Sequence, residues 1–113
     1  MSVPSHDQGE WGLIRLDYVR KEGDKNEVEG RYEGDGIVTI TEHGYELTFA
    51  YPDGQVVLES SGTFTTGAQA TFIGDSTIDG YPIALFGGFG SGIVMKFTDE
   101  SRSHEIIAMG TQL

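Results

Sequence analysis

An all-β domain is the fold class this sequence predicts: a small antiparallel β-barrel or a two-sheet sandwich of roughly eight to ten short strands. Three observations predict it. Seventeen glycines and three prolines punctuate the 113 residues at intervals of a few residues, which suits short strands joined by turns. Several segments alternate apolar and polar side chains with period two. No heptad pattern or internal repeat is present, and a chain of this length supports one core rather than two.

Met1 to Gly9 is polar and lacks the basic and apolar regions of a secretory signal. Residues 1–10 are therefore expected as a flexible N-terminal segment, residues 11–113 as a single β domain, and the protein as cytoplasmic. From Trp11 to Arg20, Ile14, Leu16 and Tyr18 fit one face of a strand, while Trp11, Ile14 and Tyr18 also fit one face of a helix. Gly12 and the β-rich remainder favour the strand. Val28 to Tyr32 alternates, and Ile37 to Thr41 is β-branched throughout. The clearest alternation runs through Tyr45, Leu47, Phe49 and Tyr51, with Glu46 and Thr48 on the opposite face. Pro52-Asp53-Gly54 then suits a hairpin. A two-residue loop places Phe49 opposite Leu58, and a three-residue loop with a glycine bulge places it opposite Val57. Further strands are expected over 62–66, 69–73, 82–86, 92–98 and 104–110.

The net charge of -11 argues against nucleic-acid and anionic membrane partners, because both attract Lys and Arg. Cysteine is absent, which excludes disulfides, thiolate metal sites and a thiol nucleophile. Residues 1–59 hold 13 acids and five bases, and the stripe Glu22, Asp24, Glu27, Glu29, Glu33 and Asp35 offers carboxylates where a nucleic-acid-binding protein expects phosphates. Between Ser60 and Met95 the charges are Asp75 and Asp79 alone. That region is expected to be core or a homo-oligomer interface, with Tyr81 and Phe89 as aromatic anchors at a turn and a hairpin tip.

Phe72 to Gly80 contains Gly74-Asp75-Ser76, which resembles the nucleophile block of the GDSL/SGNH hydrolases and implies attack by Ser76 on an ester carbonyl. The Asp-x-x-His of that family has no counterpart: Ser101 stands three residues before His104, and the single asparagine, Asn26, precedes the serine. Asp75, Thr77 and Asp79, followed by Gly80, also match the opening of a calcium loop, but its twelfth position is Phe86. A turn capped by Asp75 and Asp79, with Ser76 chemically idle, accounts for the same letters. His6, His43 and His104 lie too far apart in sequence for metal-ligand spacing. Gly87 to Gly92 lacks the Lys-Ser/Thr of a phosphate-binding loop.

Gly9-Glu10-Trp11 resembles the Gly-x-Trp start of calycin barrels such as lipocalins and avidins, which implies a barrel with Trp11 at its first strand. The resulting expectation is a non-enzymatic binding or protein-interaction module without a cofactor. It recognises a protein partner or a small apolar ligand, and Trp11, Tyr81 and Phe89 are its contact residues. The alternative is an acidic inhibitor or immunity-type protein acting on a basic partner. A small hydrolase or metal-dependent enzyme is third.

Overall fold

The computed structural model describes residues 3–50, 56–67, 71–78, 81–99, 101 and 103–113, with side chains at all of these except 34, 56–57, 66–67, 71–72, 78 and 81–86. A 3-10 turn, Ser5–Asp7, precedes eight strands: β1 (Gly9–Glu22), β2 (Lys25–Ile40), β3 (Gly44–Ala50), β4 (Val56–Gly67), β5 (Thr71–Ile78), β6 (Tyr81–Phe89), β7 (Ile93–Thr98) and β8 (His104–Gln112). Each pairs antiparallel with the next, and β8 pairs with β1, so the meander closes into a barrel. Closure removes the sheet edges that a sandwich would leave.

Alternation sorts the side chains. Tyr45, Leu47 and Phe49 of β3 face inward, as do Ile93, Met95 and Phe97 of β7, and all six are buried. With Trp11, Leu13, Leu16, Val38, Ile40, Leu58, Phe64, Phe89 and Ala108 they form one packed cluster. Among the described residues the interior is therefore lined by side chains packed on one another, and the aromatic rings within it meet at centroid distances of 5.5–5.9 Å. Gly36 is a position where glycine is required. A Cβ there would lie 2.5 Å from Cδ2 of Phe49 and 2.9 Å from Cβ of Leu13.

Two bulges change which residues face the core. Register shifts between Leu13 and Arg15 turn Ile14 outward, where it is 60% exposed, while Leu13 and Leu16 point in. A simple period-two reading instead groups Ile14 with Leu16 and Tyr18. A second shift, between Tyr18 and Val19, leaves Val28 outside and Tyr32 packed on the core. On β3 and β4, Ala50 pairs with Val56 in the register of the longer loop. A bulge then restores the Phe49–Leu58 pair of the shorter one. The Pro52-Asp53-Gly54 turn and Tyr51 lie outside the described residues.

The expectation of a flexible segment over 1–10 is corrected for residues 3–10. Val3 is 3% exposed within the core cluster, and β1 begins at Gly9 rather than Trp11. Three hydrogen bonds tie the segment over the barrel end: Val3 N–H to the Glu42 carbonyl (2.9 Å), Trp11 Nε1–H to the Asp7 carbonyl (2.9 Å) and Gln112 Nε2–H to the His6 carbonyl (2.9 Å). A single valine among polar residues carries little periodic signal, yet it closes an apolar barrel end. Among the described residues, no helix is long and apolar enough to cross a membrane.

Candidate functional site

Trp11 and Phe89 do come together, with ring centroids 5.5 Å apart, but inside the closed barrel end. Phe89 is 8% exposed and pairs with Ile93, and the turn beyond it is made by Gly90 and Gly92, joined by a 3.0 Å backbone hydrogen bond. The expectation of Phe89 as an exposed hairpin-tip anchor is thus corrected: the glycines form the tip, and the phenylalanine, one residue earlier, follows the strand's inward parity. Trp11 likewise belongs to the core rather than to a contact surface. Tyr81 opens β6, and its side chain lies outside the described part.

The Gly74–Thr77 stretch is strand, not turn, and forms part of β5. Asp75 and Thr77 project from its outer face, so an extended backbone holds them about 7 Å apart along the strand instead of wrapping them around a cation. The calcium-loop expectation for Asp75 and Thr77 and the turn-cap expectation for Asp75 are corrected on that ground. Asp79 lies outside the described residues. Gly74 occupies its position because a Cβ there would collide with the Thr63 carbonyl of β4.

Ser76 points into the barrel and is 4% exposed. Its hydroxyl meets those of Tyr45 and Ser60, the latter at 3.0 Å; Tyr45 and Ser60 are 2.7 Å apart. Ser60 donates onward to the Thr77 carbonyl at 2.9 Å. Burial pushes the Tyr45 phenol above its ordinary range, partly opposed by the hydrogen bonds from Ser60 and Ser76. This cluster satisfies three buried hydroxyls among aromatic neighbours.

The histidines are not gathered. His6 and His43 lie at the plugged end and His104 at the opposite one, each beside a local acid: Asp7 at 3.5 Å, Glu42 at 3.8 Å and Asp99 at 3.4 Å. Among the described residues, no three metal-ligating side chains converge.

The electrostatic organisation of the outer surface is more informative. On the β1–β2 ribbon two acids of the expected stripe, Glu27 and Glu29, are matched by a cation from the facing strand, while among the described residues Glu22, Asp24, Glu33 and Asp35 have no ion pair. Arg20 reaches Glu27 at 2.9 Å and Glu29 at 3.5 Å. Arg31 and Arg15 both hold the buried Asp17, at 3.0 and 3.4 Å, and Lys21 holds the buried Glu105 at 3.0 Å. The other side of the barrel differs, because no Lys or Arg occurs between Arg31 and Lys96. Strands β3 to β6 therefore carry no cation. Glu46, Glu59 and Asp75 are exposed there, as is Asp35 on the adjoining β2, and among the described residues none of the four has an ion pair.

Register sets the spacing. Glu46 pairs with Ser61 and Thr48 with Glu59, which makes Glu46 and Glu59 diagonal neighbours about 7–8 Å apart. They flank a shallow groove of about 390 Å3 shared with Thr48, Ser61 and Thr77. It runs into a second of about 510 Å3 bordered by Thr39, Thr41, His43 and Thr63. The face is a field of carboxylates separated by hydroxyls, without an exposed aromatic among its described side chains.

Of the region Ser60 to Met95, expected as core or a homo-oligomer interface, Phe64, Phe89, Ile93 and Met95 lie in the core, while Ile73 and Val94 are exposed. The outward side chains of β4 beyond Glu59 include Ser61, Thr63 and Thr65, all exposed, so a charge-poor strand here is still polar outside. Glu46 and Glu59 escape a reading of the sequence for site residues, although the long interval without Lys or Arg is their signal. Compared with models of known families, with curated proteins and with solved structures, the chain matches none.

Proposed function

We propose that this chain is a non-enzymatic protein-interaction module that binds a partner with a basic surface through the outer face of β3–β5. One observation carries the reading: Glu46, Glu59 and Asp75 are exposed on β3–β5, strands without Lys or Arg, with Asp35 beside them on β2, whereas Glu27, Glu29 and Asp17 of the β1–β2 ribbon are matched by arginines. Unneutralised charge on one side attracts and orients an oppositely charged protein, and threonine and serine hydroxyls between the carboxylates accept or donate hydrogen bonds at the contact. The packed interior weighs against a small apolar ligand held inside the barrel, and the buried position of Ser76 weighs against the hydrolase reading. An inhibitor that displaces nucleic acid from a basic protein is the sharper form of the same proposal, since it uses the same carboxylates.

A salt-titrated pull-down on an immobilised lysine-rich peptide tests it. Retention at about 50 mM salt that falls steeply towards about 500 mM, as screening shortens the reach of exposed charges, supports the proposal. Absence of retention at low salt, or retention insensitive to salt, contradicts it.

A further inference from the structure

On the footing of the proposed function, we infer that protonation of His43 loosens the hold of the β3–β5 face on a basic partner, so that the same site is regulated by pH. Two features point to it: where the three histidines stand, and how firmly the turn that bears His43 is fixed.

His43 lies in the β2–β3 turn and borders the groove of about 510 Å3 that Thr39, Thr41, Ser61 and Thr63 share with Glu46. Glu46 also borders the groove that Glu59 flanks, so the imidazole stands at one end of the acidic face. Neither of the other histidines borders these grooves. His6 sits on the N-terminal segment beside Asp7. His104 stands at the opposite barrel end beside Asp99, where its Nδ1 also meets the Ser103 hydroxyl at 3.1 Å.

The turn is held on two sides. Within it, the Thr41 N–H donates to the Gly44 carbonyl at 2.9 Å and the Gly44 N–H donates to the Thr41 hydroxyl at 3.1 Å. Across to β4, the Phe64 N–H donates to the His43 carbonyl at 2.6 Å. Gly44 admits this approach, because a Cβ there would collide with the Gly62 carbonyl. The backbone of His43 is thus fixed beside the groove, while its side chain, 70% exposed, stays open to solvent.

Few charges surround it. Glu42, on the same turn, lies 3.8 Å away. Glu46 of β3 and the buried Tyr45 phenol are the other titratable groups bordering the groove, to which β2 and β4 contribute hydroxyls. Between about pH 8 and pH 5.5 an imidazole gains a proton, whereas carboxylates and lysines ordinarily keep their charges. The face therefore changes charge in that window through His43. Pairing with Glu42 does not cancel the change, since the sum of charge at this end still rises by one. A unit charge about 5 Å from a partner's ammonium alters affinity by about two- to threefold at about 50 mM salt, where the Debye length still exceeds about 10 Å. By reciprocity, a bound basic partner disfavours the protonated imidazole.

Calorimetric titration of a soluble lysine-rich peptide into the pure full-length protein at about 50 mM salt, at pH 8 and at pH 5.5, tests this. The wild type is expected to bind about two- to threefold more weakly at pH 5.5. His43→Gln is expected to bring the ratio of the two affinities close to one. His43→Lys is expected to bind at both pH values as weakly as the wild type does at pH 5.5. His6→Gln and His104→Gln are expected to retain most of the wild-type ratio. All three histidines are exposed, and far-UV circular dichroism checks that the variants remain folded. Binding at pH 8 with a ratio below about 1.3, a ratio that survives His43→Gln, or one lost with His6→Gln or His104→Gln would overturn the inference and leave the proposed function standing. Absence of binding at pH 8 would overturn both.

Discussion

Replacing Gly36 with alanine probes the barrel's packing at its tightest described side-chain contact. The new methyl would sit 2.5 Å from Cδ2 of Phe49, 2.9 Å from Cβ of Leu13 and 3.2 Å from the Thr48 carbonyl. Neither side chain has room to retreat: Phe49 is 0% exposed and Leu13 is 3% exposed, both inside one contiguous core. Overpacking of this kind costs about 2 kcal/mol, which for a domain of this size lowers Tm by about 10 °C. Trp11, the one tryptophan, is buried against Phe89, and its emission follows unfolding in urea. The cause can be isolated with Phe49→Val, which has no δ carbon. The loss on adding Gly36→Ala to that variant should be smaller by at least about 1 kcal/mol than in the wild type. A Gly36→Ala variant within about 0.5 kcal/mol of wild type, or two losses that simply add, would refute the close approach between β2 and β3.

Two further outcomes follow from the interior. Tyr45→Phe should cost about 1 kcal/mol near neutral pH, since Ser60 and Ser76 keep each other and their carbonyl acceptors. The Tyr45 phenol is raised above its unfolded value of 10.0, so the stability it contributes is complete below pH 10 and lost as pH rises through the folded value. Urea denaturation from pH 9 upward should show Tyr45→Phe losing less stability with rising pH than the wild type, and identical slopes would contradict this. At the barrel end, Val3→Asp should cost about 2 kcal/mol or more and shift Trp11 emission to the red, because it removes a buried side chain from the cap that supplies the acceptor for the indole N–H. Unchanged emission and stability would show that the segment does not seal the barrel.

Much of the architecture is legible where alternation is uninterrupted. Tyr45, Leu47 and Phe49 fall on one face from the sequence alone, and β1 reads as strand despite its helical spacing. The Gly-x-Trp opening points to a barrel, and Trp11 does line one. Bulges are not legible: Ile14 and Val28 look like core residues, and only the pairing with neighbouring strands shows why they face out. Gly74-Asp75-Ser76 reads as a turn because glycine, aspartate and serine favour turns locally. In the fold the three residues do different things. Gly74 admits the Thr63 carbonyl, Asp75 faces solvent and Ser76 bonds within the core. The acidic ribbon looks like an interaction stripe because Arg20 lies seven residues from Glu27 in the chain, yet the hairpin sets them face to face. Equating few charges with an apolar surface hides the hydroxyl face of β4, on which the candidate site depends.

The proposed partner-binding charge lies on β3–β5 and not on the ribbon where acids are densest in the sequence. The most direct test is calorimetric titration of a soluble lysine-rich peptide into the wild type, a Glu46→Lys/Glu59→Lys variant and a Glu27→Gln/Glu29→Gln variant. A loss of at least about tenfold in affinity is expected for the first variant and less than about twofold for the second, whose carboxylates already hold Arg20. Equal losses at both places, or a loss confined to Glu27 and Glu29, would contradict it.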